Sequence, residues 1–253
     1  MQKYGQHFLI NQQVIAQIAD AALLLRTENL VEIGPGKGAL THALVARGQR
    51  GFCAVEIDPE MVNFLQKNLP PSANVRIMEQ NFLTFDLKNL PQVPTEFVSN
   101  LPYIDAAAIL DKVLSWPYFK TAVFMFQKEQ AQKITAKPGD ELYGALSVLS
   151  QLRARISLVC NVGRGSFNPP PKVESRVLAF ERIPAPDVPW KNLHRLVVSS
   201  FLHRRKTFLN ALCLAGYEKE KVSLALQHLR LPFTVRPEQL APDQFVKICK
   251  QII

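Results

Sequence analysis

Leu30-Val31-Glu32-Ile33-Gly34-Pro35-Gly36-Lys37-Gly38 joins a short, mainly apolar run to a glycine-rich turn, and residues 38–47 beyond it read as helical. A run this short, closed by glycine, suits a strand buried on both faces. The same alternation spreads outward from it. Val14, Ile15, Ile18, Ala22 and Leu25 recur at helical spacing before it. Residues 52–57 form a second strand, and Pro59 opens a helix at a position where its missing N–H costs nothing. Residues 75–79, 96–100 and 121–127 predict three further strands with helical stretches between them. Such a βαβα order implies a parallel sheet covered on both faces, an α/β, Rossmann-like architecture. Two strand-like runs near 152–162 and 176–182 have no helix between them and predict an antiparallel hairpin at one edge.

The last quarter has only helical periodicity, as at Leu193, Leu196, Val197 and Phe201 and again at Val222, Leu226 and Leu229. It predicts a small all-helical domain. Alternating prolines in Ile183-Pro184-Ala185-Pro186-Asp187-Val188-Pro189-Trp190 can continue neither a helix nor a central strand, so a linker is placed there. The expected domains are 1–184 and 185–253. A length of 253 residues suits one large domain with a smaller appendage.

The net charge is +9, and it is unevenly placed: residues 187–253 hold eleven Lys/Arg against five Asp/Glu. A basic tail of this kind meets polyanions. No apolar stretch approaches the ~18 residues of a spanning helix, and the N-terminal residues lack a signal core, so a cytoplasmic protein with no membrane partner is expected. Cys53, Cys160, Cys213 and Cys249 lie far apart without a C-x-x-C pair, which argues for reduced thiols and against a metal site.

In Gly34-Pro35-Gly36-Lys37-Gly38 the third glycine comes one residue earlier than in the dinucleotide fingerprint, and Glu32 precedes the first by two. A carboxylate there suits a cationic ligand better than a pyrophosphate. The segment resembles the first motif of S-adenosylmethionine (SAM) methyltransferases; a tight strand–helix turn without a ligand is the alternative. Glu56, 22 residues after Gly34, is placed to accept from both hydroxyls of a ribose, in SAM or NAD alike. Asn81 could accept from an adenine amine, or simply be a turn asparagine.

Asn100-Leu101-Pro102-Tyr103 closes the fourth strand and resembles the [DNS]-[LP]-P-[YF] motif of methyltransferases acting on planar amino groups. An exocyclic adenine amine is a poor nucleophile because its lone pair is delocalised into the ring. The Asn100 side-chain carbonyl and the Leu101 main-chain carbonyl can accept its two N–H groups, Pro102 fixes the bend, and Tyr103 offers a stacking face worth about 1–3 kcal/mol. Catalysis of this kind rests on positioning and oriented dipoles, with no metal. Methylation at pyrimidine C5 would need a nucleophilic cysteine, typically beside proline, and no cysteine here has that setting.

Taken together, the ordered motifs resemble the KsgA family of ribosomal RNA adenine N6,N6-dimethyltransferases over nearly the whole chain. They include Gly5-Gln6-His7-Phe8-Leu9, Glu56-Ile57-Asp58, Asn81-Phe82, Tyr143-Gly144-Ala145-Leu146-Ser147, Phe167-Asn168-Pro169-Pro170-Pro171-Lys172-Val173-Glu174-Ser175 and Phe201-Leu202-His203-Arg204-Arg205-Lys206-Thr207. The resemblance implies a seven-stranded class I SAM-methyltransferase sheet with a small helical domain. It implies SAM as cofactor and transfer of four methyl groups to two adjacent adenines near the 3′ end of small-subunit (16S) rRNA in immature 30S particles.

By residue, it implies that His7, Leu9, Gly34, Gly36, Glu56, Asn81 and Asn100 line the cofactor site, and that Phe167 stacks on the adenine opposite Tyr103. His7 stands where the family usually has asparagine and Asn81 where it has aspartate; both can still hydrogen-bond. Arg204, Arg205 and Lys206 on a helix, with Arg153 and Arg155 on a strand-like run, are the expected RNA contacts of a chain acting as a monomer. The alternatives are a DNA adenine N6-methyltransferase and a non-catalytic nucleic-acid-binding protein on the same fold.

Overall fold

The computed structural model describes residues 7–24, 27, 29–48, 52–70, 73–203 and 205–253. Its first elements in chain order are β1 (Phe8–Leu9), α1 (Gln12–Ala22), β2 (Asn29–Ile33), α2 (Ala39–Ala46), β3 (Phe52–Glu56), α3 (Pro59–Asn68), β4 (Val75–Glu79) and β5 (Thr95–Asn100). There follow α4 (Ala106–Ser115), β6 (Phe119–Gln127), α5 (Lys128–Thr135), α6 (Ala145–Gln151), β7 (Ala154–Val162), β8 (Phe167–Asn168) and β9 (Ser175–Arg182). The chain ends with α7 (Trp190–Phe201), α8 (Phe208–Leu214), α9 (Lys219–His228) and α10 (Pro242–Ile252).

Every residue of β2 and β3 is buried, as expected of strands covered by helices on both faces. They lie inside a seven-stranded sheet of order β4-β3-β2-β5-β6-β9-β7. The pairs β4–β3, β3–β2, β2–β5 and β5–β6 are parallel, and β9 runs antiparallel to β6. β4, at the edge, is only partly buried and carries Arg76 and Glu79 outward. The caps follow the sequence: Asn11 accepts from the Gln13 and Val14 N–H groups to start α1, and Asp58 accepts from the Glu60 N–H to start α3, with Pro59 at its first position. Leu25, in the helical pattern above, lies outside the described residues, and α1 ends at Ala22. β1 and β8 form a separate antiparallel pair, Phe8 opposite Asn168 and Leu9 opposite Phe167.

The chain divides into two compact units, Met1–Ala131 with Arg155–Arg182, and Gln132–Ala154 with Ile183–Ile253. The expected boundary at 184 is thus corrected: residues 132–154 go with the helical unit. The cause is their apolar face, since Tyr143, Val148, Leu149 and Leu152 share one core with Leu193, Leu196, Phe208, Leu226 and Phe245. The Tyr143 hydroxyl donates to the Leu240 carbonyl at 2.9 Å within that core. Among the described residues no helix is long and apolar enough to cross a membrane, and no group of three potential metal ligands occurs.

Candidate active site

Parallel pairing puts the C-terminal ends of β4, β3, β2 and β5 in one row, each strand about 4.8 Å from the next. Asn81, Glu56, the glycine loop and Asn100 stand along that row, where open α/β sheets bind ligands. The loop is left-handed at Gly34 (φ 63°) and Gly36 (φ 56°), a backbone shape that disfavours side chains. A Cβ on Gly34 would meet nothing within 4 Å, so one face of the loop backbone is open. A Cβ on Gly36 would lie 3.2 Å from the Phe8 ring, because the N-terminal arm leans on the loop there. Lys37 Nζ sits 4.7 Å from the centre of the same ring.

Two buried carboxylates flank the loop. Glu56 Oε2 accepts from the Gly36 N–H at 2.9 Å, and its Oε1 from the Ile57 and Asp58 N–H groups at 2.9 and 3.0 Å. Burial raises its pKa and these three bonds oppose the rise. Glu32 accepts from the Thr41 hydroxyl at 2.7 Å. Burial pushes its pKa up to about 8, the Thr41 bond lowers it and Glu56 adds to the rise. Among the described residues, no cationic side chain hydrogen-bonds to either carboxylate. A cation bound at the open backbone face, such as the SAM sulfonium or ammonium, would favour the ionised forms of both and lower these raised values.

The arm brings the remaining residues together. Asn100 Nδ2 donates to the His7 carbonyl at 3.1 Å. Since that carbonyl can only accept, the amide must face it with its NH₂, which leaves Asn100 Oδ1 as an acceptor. His7 Nδ1 lies 2.9 Å from the Pro169 carbonyl and by the same reasoning carries the hydrogen, leaving Nε2 to accept. The His7 and Tyr103 rings are 6.1 Å apart, and the Tyr103 hydroxyl pairs with Ser175 Oγ at 3.0 Å. Tyr103 is half-buried, and that burial raises its pKa. The tetrad, the arm and the 167–175 segment therefore meet at the end of β5.

Several expectations are modified. Leu9 and Phe167 are buried in the core that holds α1 and the central strands, so neither side chain faces outward. The expected open second stacking face at Phe167 is replaced by a ring lying beneath the arm, because β1 pairs directly with β8. Asn81 Oδ1 accepts from the Leu83 N–H at 2.8 Å, making the turn that the sequence also allowed. Residues 203 and 205–206 are not on a helix: α7 ends at Phe201 and the chain turns until Thr207 caps α8 by accepting from the Asn210 N–H. Arg205 and Lys206 are exposed there, and Arg204 lies outside the described residues. Arg153 precedes β7 and stacks on Trp190, 3.9 Å from the ring centre, inside the helical unit. Arg155, by contrast, belongs to β7 in the first unit, is exposed and lies 3.5 Å from Glu181.

Lys112 was not anticipated. Its ammonium donates to the Phe82, Leu83 and Phe85 carbonyls at 2.7, 2.8 and 2.5 Å, bracing the loop that Asn81 opens. A lysine on a helix carries no sequence signal for such a loop; only the fold brings them together.

A seven-stranded sheet of this order, with a glycine loop after its first long strand and Asn-Leu-Pro-Tyr after the fourth, defines a class I SAM-dependent methyltransferase. The match to the model of the ribosomal RNA adenine dimethylase family runs over residues 1–253. The chain belongs to that family. It is 39% identical over 256 residues to ribosomal RNA small subunit methyltransferase A of Synechococcus sp. (strain JA-3-3Ab), covering 95% of this chain and 89% of the relative. It is 35% identical to the protein so named in Synechococcus sp. (strain CC9311), covering 98% and 93%. The fold matches a dimethyladenosine transferase from Plasmodium falciparum with a TM-score of 0.81, 27% identity and 96% of each chain covered. It matches the 23S rRNA methyltransferase ErmE at 0.73, with 27% identity and 97% and 99% covered.

Proposed function

We propose that this chain dimethylates N6 of two adjacent adenosines near the 3′ end of small-subunit rRNA, acting as a monomer in the cytoplasm on immature 30S particles. The observation that carries the reading is the Asn100 amide, turned by the His7 carbonyl so that Oδ1 stays available to the adenine amine. When bound, SAM supplies an electrophilic methyl group on a sulfonium. Gly34 and Gly36 give it backbone, Glu56 stands next to them, and Asn81 and His7 close the two sides. Oδ1 of Asn100 and the Leu101 carbonyl accept from the amine and draw electron density onto its nitrogen. Pro102 holds the Leu101 carbonyl in place, and Tyr103 stacks on the base. Phe167 lies beneath the arm and supports it there, so the stacking face for the extruded adenine, which offsets part of its unstacking, is that of Tyr103. The first product keeps one N–H, so one of the two carbonyls still aligns its nitrogen for the second transfer; each N–CH3 bond formed replaces the S–CH3 bond of the cofactor and releases one amine proton to solvent.

Support comes from the family and from the small-subunit relatives at 35–39% identity. The test is reaction with small subunits from a strain lacking this modification, followed by nucleoside mass spectrometry and mapping. Dimethyladenosine at two neighbouring positions is expected. Monomethyladenosine alone at saturating SAM, or modification confined to large-subunit RNA or DNA, would overturn the reading.

A further inference from the structure

The row of strand ends continues past Asn100 into β6 and β9. Asn100 is in register with Met125, and Gln127 with Ser175, so the start of β9 stands at the same edge of the sheet as the tetrad. The Tyr103–Ser175 contact fixes that proximity. One residue before Ser175, Glu174 is exposed. Lys128 is tied to it twice, through its backbone N–H to the Glu174 carbonyl at 2.9 Å and through Nζ to Oε2 at 2.7 Å. Arg164 and Arg176 act on the same carboxylate through space, and with Lys128 they hold its pKa below the usual range. Arg176 Nε lies buried without a hydrogen-bond partner. Lys128 thus touches the exposed Glu174 directly, Arg176 follows two residues on at the start of β9, and Arg164 is close enough to act on the same carboxylate.

We propose that Lys128, Arg164 and Arg176 form a seat for a backbone phosphate of the substrate RNA next to the extruded adenine, and that Glu174 occupies this seat until the RNA arrives. The proposal rests on the RNA-methylating reading above. A phosphate carries the same sign as Glu174 and more acceptor oxygens, so Lys128 can pass from one to the other without a change of fold. The seat is in the first unit, separate from the basic tail, and it would fix the register of the strand whose base enters the pocket.

The sign of one substitution tests it. Glu174→Gln removes the competing charge and keeps the backbone bond, so it should bind RNA several-fold more tightly. Lys128→Gln with Arg164→Gln should bind several-fold more weakly, with a shallower dependence of affinity on salt. SAM affinity should be unchanged in both. Binding is measured by filter retention with undermethylated small subunits and, separately, with oligoadenylate. Tighter binding by Glu174→Gln and a reduced salt slope for the double variant on either RNA would uphold the seat. Wild-type protein that methylates small subunits while these differences are absent on both RNAs would overturn the seat alone. Wild-type protein that fails to methylate, yet keeps the differences on oligoadenylate, would overturn the proposed function and leave the seat.

Discussion

At the scale of single residues, the chemistry turns on which atom of an amide faces which partner. The His7 carbonyl fixes Asn100 with its NH₂ inward, and the acceptor is the half that remains. Asn100→Ala removes that acceptor and should lower kcat by about 10²–10³-fold, the scale of losing one aligned dipole. RNA affinity should change much less; single-turnover rates beside RNA titrations separate the two, and a near-normal rate would remove Asn100 from the chemistry. Glu32 gives a different test. Burial holds it at about 8, raises Glu56 as well, and holds Glu96 at about 7. An unfolded glutamate titrates near ~4.3, so between that pH and about 8 the folded chain keeps protons that the unfolded chain has lost. Stability from these groups is therefore full below about pH 4 and falls as pH rises through 8. Glu32→Gln keeps an acceptor for Thr41 and cannot titrate, so urea denaturation across this range should give a shallower decline. An identical decline in the variant would clear Glu32 of the effect.

At the scale of elements, the loop after β4 depends on α4. Lys112 gives three donors to three carbonyls of residues 82–85 while burial pulls its pKa down. Lys112→Met keeps the stem and leaves those carbonyls without their donor, which should cost about 1–3 kcal/mol of stability by denaturation. If the loop presents Asn81 to the cofactor, SAM should also bind several-fold more weakly by calorimetry. Arginine should rescue only in part, since its planar fork does not reproduce three donors at one point. Unaltered SAM affinity in Lys112→Met would confine the residue to a structural role. Lys112 also marks where the sequence was silent. β2, β3 and β5 were legible because short, mainly apolar runs end at a glycine, at the Pro59 helix start and at the tetrad. The β1–β8 pair was not, because two residues at each of two distant positions carry no periodicity; only long-range pairing makes them strands. For the same reason Phe167 was recognised by its motif while its burial under the arm was not. The segment 143–147 was recognised by its motif, yet nothing in its spacing says that it starts α6 or which core takes the apolar face of that helix. The basic run at 203–206 looked helical because its charges continue α7, whereas Thr207 caps a new helix and forces a turn before it.

At the scale of the whole molecule, the 30 Lys and Arg residues behind the net charge of +9 include two groups with different neighbours. Lys128, Arg164 and Arg176 stand beside the tetrad, where their phosphate would set register. Arg205 and Lys206 lie exposed in the turn between α7 and α8, beside the undescribed Arg204, where contacts would add affinity without bearing on the chemistry. Replacing Arg204, Arg205 and Lys206 with alanine should weaken binding to small-subunit particles and flatten its salt dependence. Each lost phosphate contact should reduce the slope of log affinity against log salt by about 0.7–0.9, because fewer counterions are released. SAM affinity and the single-turnover rate at saturating particle should hold, since the tetrad and the glycine loop belong to the first unit and the turn to the second. Thr207, which caps α8, and the backbone bond from the Lys206 N–H to the His203 carbonyl are both kept in the variant. Filter binding over a salt series, set beside the single-turnover rate, measures both quantities on one preparation. An unchanged slope would mean that these side chains stay in solvent when the particle binds. A slope restored by raising SAM alone would place the loss at the cofactor site instead of the RNA.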